Sequence, residues 1–422
     1  MRGKDLLLLA RRFPFNRGEV AAESYLETEV LSLARHFDRI VAVGTEADSG
    51  SVPTCMLPDN VEPLALGCGA SSREKLGYLL SGVVGKAVRS KPMGELSQAD
   101  KAGGLARRLF RDYFAGRALA KYRKLTSWLA TSRFSPTHFY SFWLYDTAIT
   151  ELWLRREHPE AVAFARAHGY DLYNNRNVLN YLPFRESLLS GLDLVFACSN
   201  DGREYLNSQW PGHEEKVHVS YLGTKDLPDK SHERRQDVFR VVSCSRVVDI
   251  KRVGLLAEAL GQLDVSDVRI AWTHYGDGPM LSEVKKVAER YRFVEAMFPG
   301  KVDNAELLKL YSSHHFDLFV NVSESEGLPI SIMEACGVGL PVVATDVGGT
   351  KEVVIDGENG LLLDPDASPQ RVADTIMEVM QMGDGDYLHM RESARRIWRE
   401  RFRTGKNVEL MLESVESLGG VY

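Results

Sequence analysis

Two glutamates, Glu326 and Glu334, are separated by seven residues within the stretch SESEGLPISIMEACGVGLPVVATDVGG that begins at Ser323. Eight steps of about 100° would leave the second carboxylate roughly 80° from the first around a helix, so one continuous helix would not aim both at one point. Pro329 relieves that conflict, because proline is tolerated in a first helical turn, where its missing N–H has no intrahelical partner. The expected helix therefore begins near Leu328 or Pro329. Glu326 then sits on the preceding loop and Glu334 in the second turn, with the unpaired N–H groups of the first turn between them. Such N-termini attract anions, and carboxylates accept hydroxyl protons. The combination suits a ligand that is both phosphorylated and rich in hydroxyls. The same spacing also fits an ordinary helix with an acidic first turn.

Other polar groups fall at comparable places. Arg246 and Lys251 follow the apolar run VVSCS, and GDGP at Gly276–Pro279 is a turn without the spacing of a Rossmann glycine fingerprint. The elements that carry them alternate in type. Strand-like DLLLLA, RIVAVG, THFYSFW, AVAFARAH, LDLVFACS and KVHVSYLG are interleaved with helical stretches. After a polar linker at 225–236 the pattern restarts with FRVVSCS, VRIAWTHYG, AMFPG, FDLFVNV, PVVATD and GLLLDP. Apolar strands alternating with helices imply parallel sheets covered on both faces. The expected architecture is α/β: two Rossmann-like doubly wound domains, at 1–225 and 237–385, facing each other across a cleft. C-terminal helices at 386–422 are expected to pack back toward the first domain. Ligands of such sheets bind beyond the carboxyl ends of the strands, where the candidate groups lie.

A length of 422 residues suggests two or three domains, and 44% hydrophobic with 26% charged residues is the composition of a soluble globular protein. Cys55, Cys68, Cys198, Cys244 and Cys336 are scattered, odd in number and without a CxxC pair. That usage argues against a disulfide framework or a zinc site and fits a reducing, cytoplasmic compartment. No apolar run approaches the roughly eighteen residues that span a bilayer. The opening MRGKDLLLLARRFPF reads as a first β-strand, because its short apolar run is followed by arginines instead of the small residues of a signal peptide.

The net charge of −6 hides an asymmetry: residues 70–125 hold thirteen Lys or Arg against four Asp or Glu, a surplus of +9. Apolar positions Leu76, Leu80, Val84, Leu105, Leu109, Phe114 and Leu119 recur there at helical spacing. Two amphipathic helices separated near 91–94 are expected. Basic helices of this kind lie on anionic membrane surfaces, at the inner face of a plasma membrane for instance, or pack on a sheet with a solvated basic face.

Taken in order, SRVVDIKR, the GDGP turn, MFPGKV, EGLPISIME and GVGLPVVATDVGGTKEVVIDGENGLLLDPDA resemble the retaining glycosyltransferases of the large bacterial group 1 family (family four), which have the GT-B fold. The match covers about 238–366. FPFNRGEVAAESYLETEV and RAHGYDLY resemble, more loosely, the family's first glycine-bearing loop and its active-site histidine segment. Position by position, the resemblance gives Arg246 and Lys251 the donor diphosphate, Glu334 the ribose hydroxyls and Glu326 the region of the transferred sugar. It gives His168 a contact to that sugar, Gly18 close approach of backbone to phosphate, and Lys301 and Val302 the nucleotide base. Pro329 stands where many members have a second glycine, so donor contacts would fall to Gly327, Leu328 and Ile330. Read without the family, His168 also fits a core histidine, Gly18 a turn, and Arg246 with Lys251 a solvated basic turn.

The resemblance implies a metal-independent transfer of sugar from a nucleotide-diphosphate donor, UDP-sugar favoured on frequency, to a glycan or lipid-linked glycan in cell-surface polysaccharide biosynthesis. No cofactor, metal or nucleic acid is expected. A nucleotide-sugar epimerase of the same architecture and a non-catalytic partner subunit are the alternatives.

Overall fold

A computed structural model describes residues 3–15, 23, 25–69, 72–83, 100, 103–227, 237–263, 268–291 and 294–418. The chain divides into two compact units, Met1–Tyr221 with Thr404–Tyr422, and Leu222–Arg403.

The first unit holds β1 (Asp5–Ala10), β2 (Arg39–Gly44), β3 (Val61–Ala65), β4 (His138–Ser141), β5 (Val162–Ala167), β6 (Leu194–Ala197) and β7 (Val217–Val219). They form a parallel sheet in the order β3-β2-β1-β4-β5-β6-β7. The second holds β8 (Val238–Cys244), β9 (Arg269–Tyr275), β10 (Val294–Gly300), β11 (Leu318–Asn321), β12 (Val342–Thr345) and β13 (Gly360–Leu363), also parallel, ordered β10-β9-β8-β11-β12-β13. In each sheet the strand order reverses between the first and fourth strands, which opens a ligand crevice at their carboxyl ends. Twelve of these strands coincide with the apolar runs of the sequence. The exception is β3, VEPLA, in which Val61 alone is fully buried. It is an edge strand, the one place where Pro63 costs no ladder hydrogen bond, and so it lacks the apolar signature of a central strand.

The unbroken apolar run of β1 has a simple cause. Leu7 and Leu9 enter one core with Val41, Val43, Phe114, Ala118 and Leu119, whereas Leu6 and Leu8 enter another with Ile40, Ala42, Val408, Met411 and Leu412. Both faces are covered, so no position is left for a polar residue. The long helix Leu105–Thr131 covers the first face and Thr404–Leu418 the second. Of the helices expected at 386–422, Asp384–Arg401 therefore falls in the second unit and Thr404–Leu418 in the first.

Among the described residues the basic segment holds the helices Ser72–Val83 and Leu105–Thr131. The expected break near 91–94, and Val84, lie outside the described residues. Phe114 and Leu119 are core, but Leu76, Leu80, Leu105 and Leu109 are exposed. Not all of the positive charge faces solvent. Arg117 and Lys121, one helical turn apart, point inward at Asp146, with Arg117 Nε at 3.0 Å and Lys121 Nζ at 2.6 Å from Oδ2. Arg117 also pairs with Glu46, which accepts a bidentate pair from Arg11 at 3.0 Å.

Burial alone would raise the Asp146 carboxyl, but the two cations override it and hold the group down at about 2. Its pairing energy is therefore present above the unfolded carboxyl range near 3.8 and is lost as pH falls through 2. Removing one partner of such a pair leaves a buried charge uncompensated. Lys121→Ala should lower unfolding free energy by about 3 kcal/mol. A loss under about 1 kcal/mol in chemical denaturation would show that Arg117 alone suffices.

Candidate functional site

At the switch point of the second unit, the loops after β8 and β11 are bonded to each other. The short turn Asp249–Lys251 ends at Arg252, whose left-handed backbone (φ 46°) turns its side chain so that Nε donates to the Val322 carbonyl at 2.7 Å. The Glu324 amide donates to the Ile250 carbonyl at 2.8 Å. This latch sets Lys251 beside Glu326, with Nζ 2.6 Å from Oε1. Asn321, the last residue of β11, donates to the same carboxylate oxygen at 3.1 Å. A cavity of about 10 Å³, room for roughly one water, lies among Ser243, Lys251, His274, Asn321 and Ser323. Arg246 is exposed on the turn that follows β8.

Under that turn runs a buried relay. Trp272 Nε1 donates to Ser243 Oγ at 2.9 Å, Ser243 Oγ lies 2.8 Å from His274 Nδ1, and His274 Nε2 lies 3.2 Å from the Ser245 carbonyl. Burial lowers His274 to about 4, so it is neutral, with its one N–H directed at that carbonyl. The GDGP turn closes over the same carbonyl. Gly276 has φ 148°, and a Cβ there would lie 1.8 Å from Ser245 O.

The helix bearing Glu334 begins at Ile330, with Pro329 at its N-cap in extended backbone (ψ 96°). The start is a residue later than the expected Leu328 or Pro329, because the cap must leave the helical region to let its carbonyl take the Ile332 and Met333 amides. Glu326 is on the loop and Glu334 in the second turn, as the spacing implied. The Ile330 and Ser331 amides have no hydrogen-bond partner among the described residues. Gly327, Leu328 and Pro329 form the turn between, and Gly349 N holds it by donating to the Gly327 carbonyl at 2.8 Å.

Glu334 is buried, and burial pushes its carboxyl up to about 7 against the opposing hydrogen bond from Asn304 Nδ2 at 2.6 Å. Asn304 starts the helix that follows β10, so it ties the preceding Lys301 and Val302 to the neighbourhood of Glu334. Cys244, at the end of β8, is raised to about 12 by burial and then by the negative charge of Glu334, with Lys251 pulling the other way. Lys251, Glu326 and Glu334 thus converge on one strand end.

In the first unit His168 follows β5, its ring packed 4.5 Å from Phe142 and 4.6 Å from Trp143. Its Nδ1 is 3.6 Å from Asp171 Oδ2. Burial would raise Asp171, but His168 and the backbone amides around it outweigh burial and hold the carboxylate below the usual range. Gly18 lies outside the described residues. Asn304, Asn321, Arg252, His274 and Asp171 went unread in the sequence. Only Asp171 carried a signal, an acid three residues beyond the candidate histidine.

Residues 225–397 match the family Glycosyl transferases group 1. Arg246, Lys251, Glu326 and Glu334 lie inside the matched stretch, and His168 lies outside it. The chain is 29% identical over 230 residues to the O-antigen biosynthesis glycosyltransferase WbnH of Escherichia coli, a match covering 54% of this chain and 62% of WbnH. The matched stretch spans about half the length of the curated relatives. The fold is that of sucrose-phosphate synthase from Thermosynechococcus elongatus, with a TM-score of 0.68 at 15% identity over 100% of both chains. It is also that of Anabaena Alr3699/HepE, solved with UDP and glucose, with a TM-score of 0.62 at 18% identity over 98% of this chain and 100% of HepE. The expected pair of Rossmann-like domains is thereby the fold of known GT-B structures.

The raised pKa of Glu334 has two opposite consequences. Its neutral form is favoured in the fold, so its contribution to stability is complete below the unfolded carboxyl range near 4.5 and is lost as pH rises through about 7. A ligand whose hydroxyls donate to Glu334 needs the ionised form instead. For any ligand of that kind, a nucleoside diphosphate being the probe, affinity should therefore rise about tenfold from pH 6 to pH 8, beyond whatever rise a Glu334→Gln variant shows. Calorimetric titrations giving both proteins the same pH dependence would remove Glu334 from the binding site.

Proposed function

We propose that the chain is a retaining glycosyltransferase that moves a sugar from a nucleotide-diphosphate sugar, UDP-sugar being favoured, to a glycan acceptor in cell-surface polysaccharide biosynthesis. The observation that carries this reading is the hydrogen-bonded Lys251–Glu326 pair at the carboxyl ends of β8 and β11, just before the helix whose first amides, Ile330 and Ser331, have no partner among the described residues. The likeness to an O-antigen glycosyltransferase supports the acceptor class, and the UDP bound in HepE supports the donor.

In the proposed reaction the bond from the anomeric carbon to the diphosphate oxygen breaks, and the acceptor hydroxyl oxygen bonds to that carbon on the same face. The hydroxyl proton leaves with the β-phosphate oxygen. Negative charge therefore grows on the departing diphosphate, where Arg246, Lys251 and the helix amides stabilise it. This reading assigns that task to the chain's own cations and calls for no metal or cofactor. Glu326, held by Lys251 and Asn321, positions the transferred sugar, and the family resemblance gives His168 a contact to a sugar. Glu334 takes the ribose hydroxyls, and Lys301 and Val302 meet the base. The presence of Arg246, Lys251 and both glutamates argues against a non-catalytic subunit.

Removing either leaving-group cation, by Arg246→Ala or Lys251→Ala, should lower turnover about a hundredfold or more. The assay is nucleoside diphosphate release across a panel of nucleotide sugars. Near-normal turnover in both folded variants would sink the mechanism.

The two glutamates should fail differently. Glu334→Ala should chiefly raise KM for the donor, because ribose contacts persist from ground state to transition state, whereas Glu326→Ala should chiefly lower kcat. Equal effects confined to KM would refute this division.

A further inference from the structure

We infer that the apolar face shared by the helices Ser72–Val83 and Leu105–Thr131 is a docking surface for an anionic phospholipid bilayer. Five large apolar side chains stand in solvent there: Leu76, Leu80, Leu105, Leu109 and Val178, the last 97% exposed. Leu76 with Leu80, and Leu105 with Leu109, are i,i+4 pairs, so each helix presents its leucines as one row. Between the helices and the 178–179 loop lies an open groove of about 580 Å³, lined by Leu76, Leu79, Leu109, Phe110 and Leu179.

This face is surplus to the fold. The two helices pack on each other through Tyr78 and Tyr113, 6.4 Å apart and edge-on, and the longer helix enters the core through Phe114, Ala118 and Leu119.

Charge identifies the occupant. Lys75 lines the groove, and Arg107 and Arg108 are exposed in the first turn of the longer helix, where Arg107 reaches the Leu179 carbonyl at 3.1 Å and Arg108 the Gly103 carbonyl at 3.1 Å, neither bond neutralising its charge. Not every cation of the segment contributes, because Arg117 and Lys121 are committed to Asp146, and Arg111 to Asp112 and the Asp100 carbonyl. Asp112, the one acidic residue of the Leu105–Thr131 helix, is thereby neutralised. A second copy of this face would set like cations against one another. A bilayer with anionic headgroups supplies both halves of the complement, an apolar phase for the leucines and negative charge for the rim, and basic helices bury their apolar faces about 5–10 Å into such an interface.

The test is co-sedimentation of the full chain with phosphatidylcholine vesicles, with and without phosphatidylglycerol. It is read without donor or acceptor, so it stands apart from sugar transfer. Wild type should bind the anionic vesicles at low salt and release as salt shortens the screening length from about 10 Å at 0.1 M to about 3 Å at 1 M. Arg107→Gln with Arg108→Gln should weaken partitioning about fivefold for each charge removed. Leu76→Asp with Leu105→Asp should weaken it by about tenfold or more. Leu388→Asp, an exposed leucine of the other unit, should bind as wild type does. Leu76, Leu105 and Leu388 are exposed, so melting should stay unchanged in the leucine variants. Absence of wild-type binding to anionic vesicles at low salt would overturn the inference, as would full binding by the Leu76→Asp, Leu105→Asp variant. So would a wild-type dimer, by light scattering, that this variant dissolves.

Discussion

Two carbonyl oxygens at the candidate site are approached so closely that no carbon atom fits opposite them. A Cβ at Gly276 would lie 1.8 Å from Ser245 O, and one at Gly348 would lie 2.1 Å from Glu326 O. Contacts under 3.0 Å force a shift, and here the obstacle is backbone, which cannot swing aside. Both glycines also have φ between 50° and 150°, a region other residues seldom enter. The loop after β9 is thereby pressed on the loop after β8, and the loop after β12 on the loop after β11. The loops that carry Lys251 and Glu326 are each backed by one of these contacts. Lys251 meets Glu326 because the turns that carry them are clamped on both sides.

The first unit fixes its loops by another device, the buried carboxylate. Glu23 accepts the backbone amides of Arg11, Arg12 and Phe13 just beyond β1, and also the Trp143 indole beyond β4. Asp171 accepts the amides of Leu144, His168 and Gly169. Each carboxylate thus stitches loops from neighbouring strand ends. An ionised oxygen accepting several amides compensates its own burial while satisfying donors that a strand end would leave unpaired. His168 is held at its backbone by this arrangement, and its ring packs at a tilt against Phe142 and Trp143.

How much of this was legible in the sequence follows from the same physics. Twelve strands could be read because their residues are mainly apolar, without a break in β1 and interrupted elsewhere by single polar residues such as Arg166, Arg240 and Glu295. The edge strand β3, with Pro63 and three partly or fully exposed neighbours, carried no such mark. The loop position of Glu326 and the helical position of Glu334 followed from rotation per residue and from proline. What stayed hidden was tertiary pairing. Arg117 and Lys121 counted as surface charge in the sequence, since nothing local announces that Glu46 and Asp146, 71 and 25 residues away, would meet them. Asn304 and Asn321 were invisible for the same reason, being polar residues whose partners are fixed by strand order.

The Lys251–Glu326 pair bears on how a site proposed to take an anion keeps its cation in place. A half-buried ammonium with no partner would pay desolvation and wander among rotamers. Glu326, itself held by the Asn321 amide, keeps it at the place where the proposed diphosphate would need it. The arrangement is close to neutral before the ligand arrives, so the fold carries no uncompensated charge there. On the proposed reading the incoming diphosphate competes with Glu326 for Lys251, and as the lysine yields, Glu326 Oε1 can accept a sugar hydroxyl while Asn321 still holds it in place. Cation and carboxylate are thus preorganised by each other, which spares the reaction the cost of orienting either at the moment charge develops.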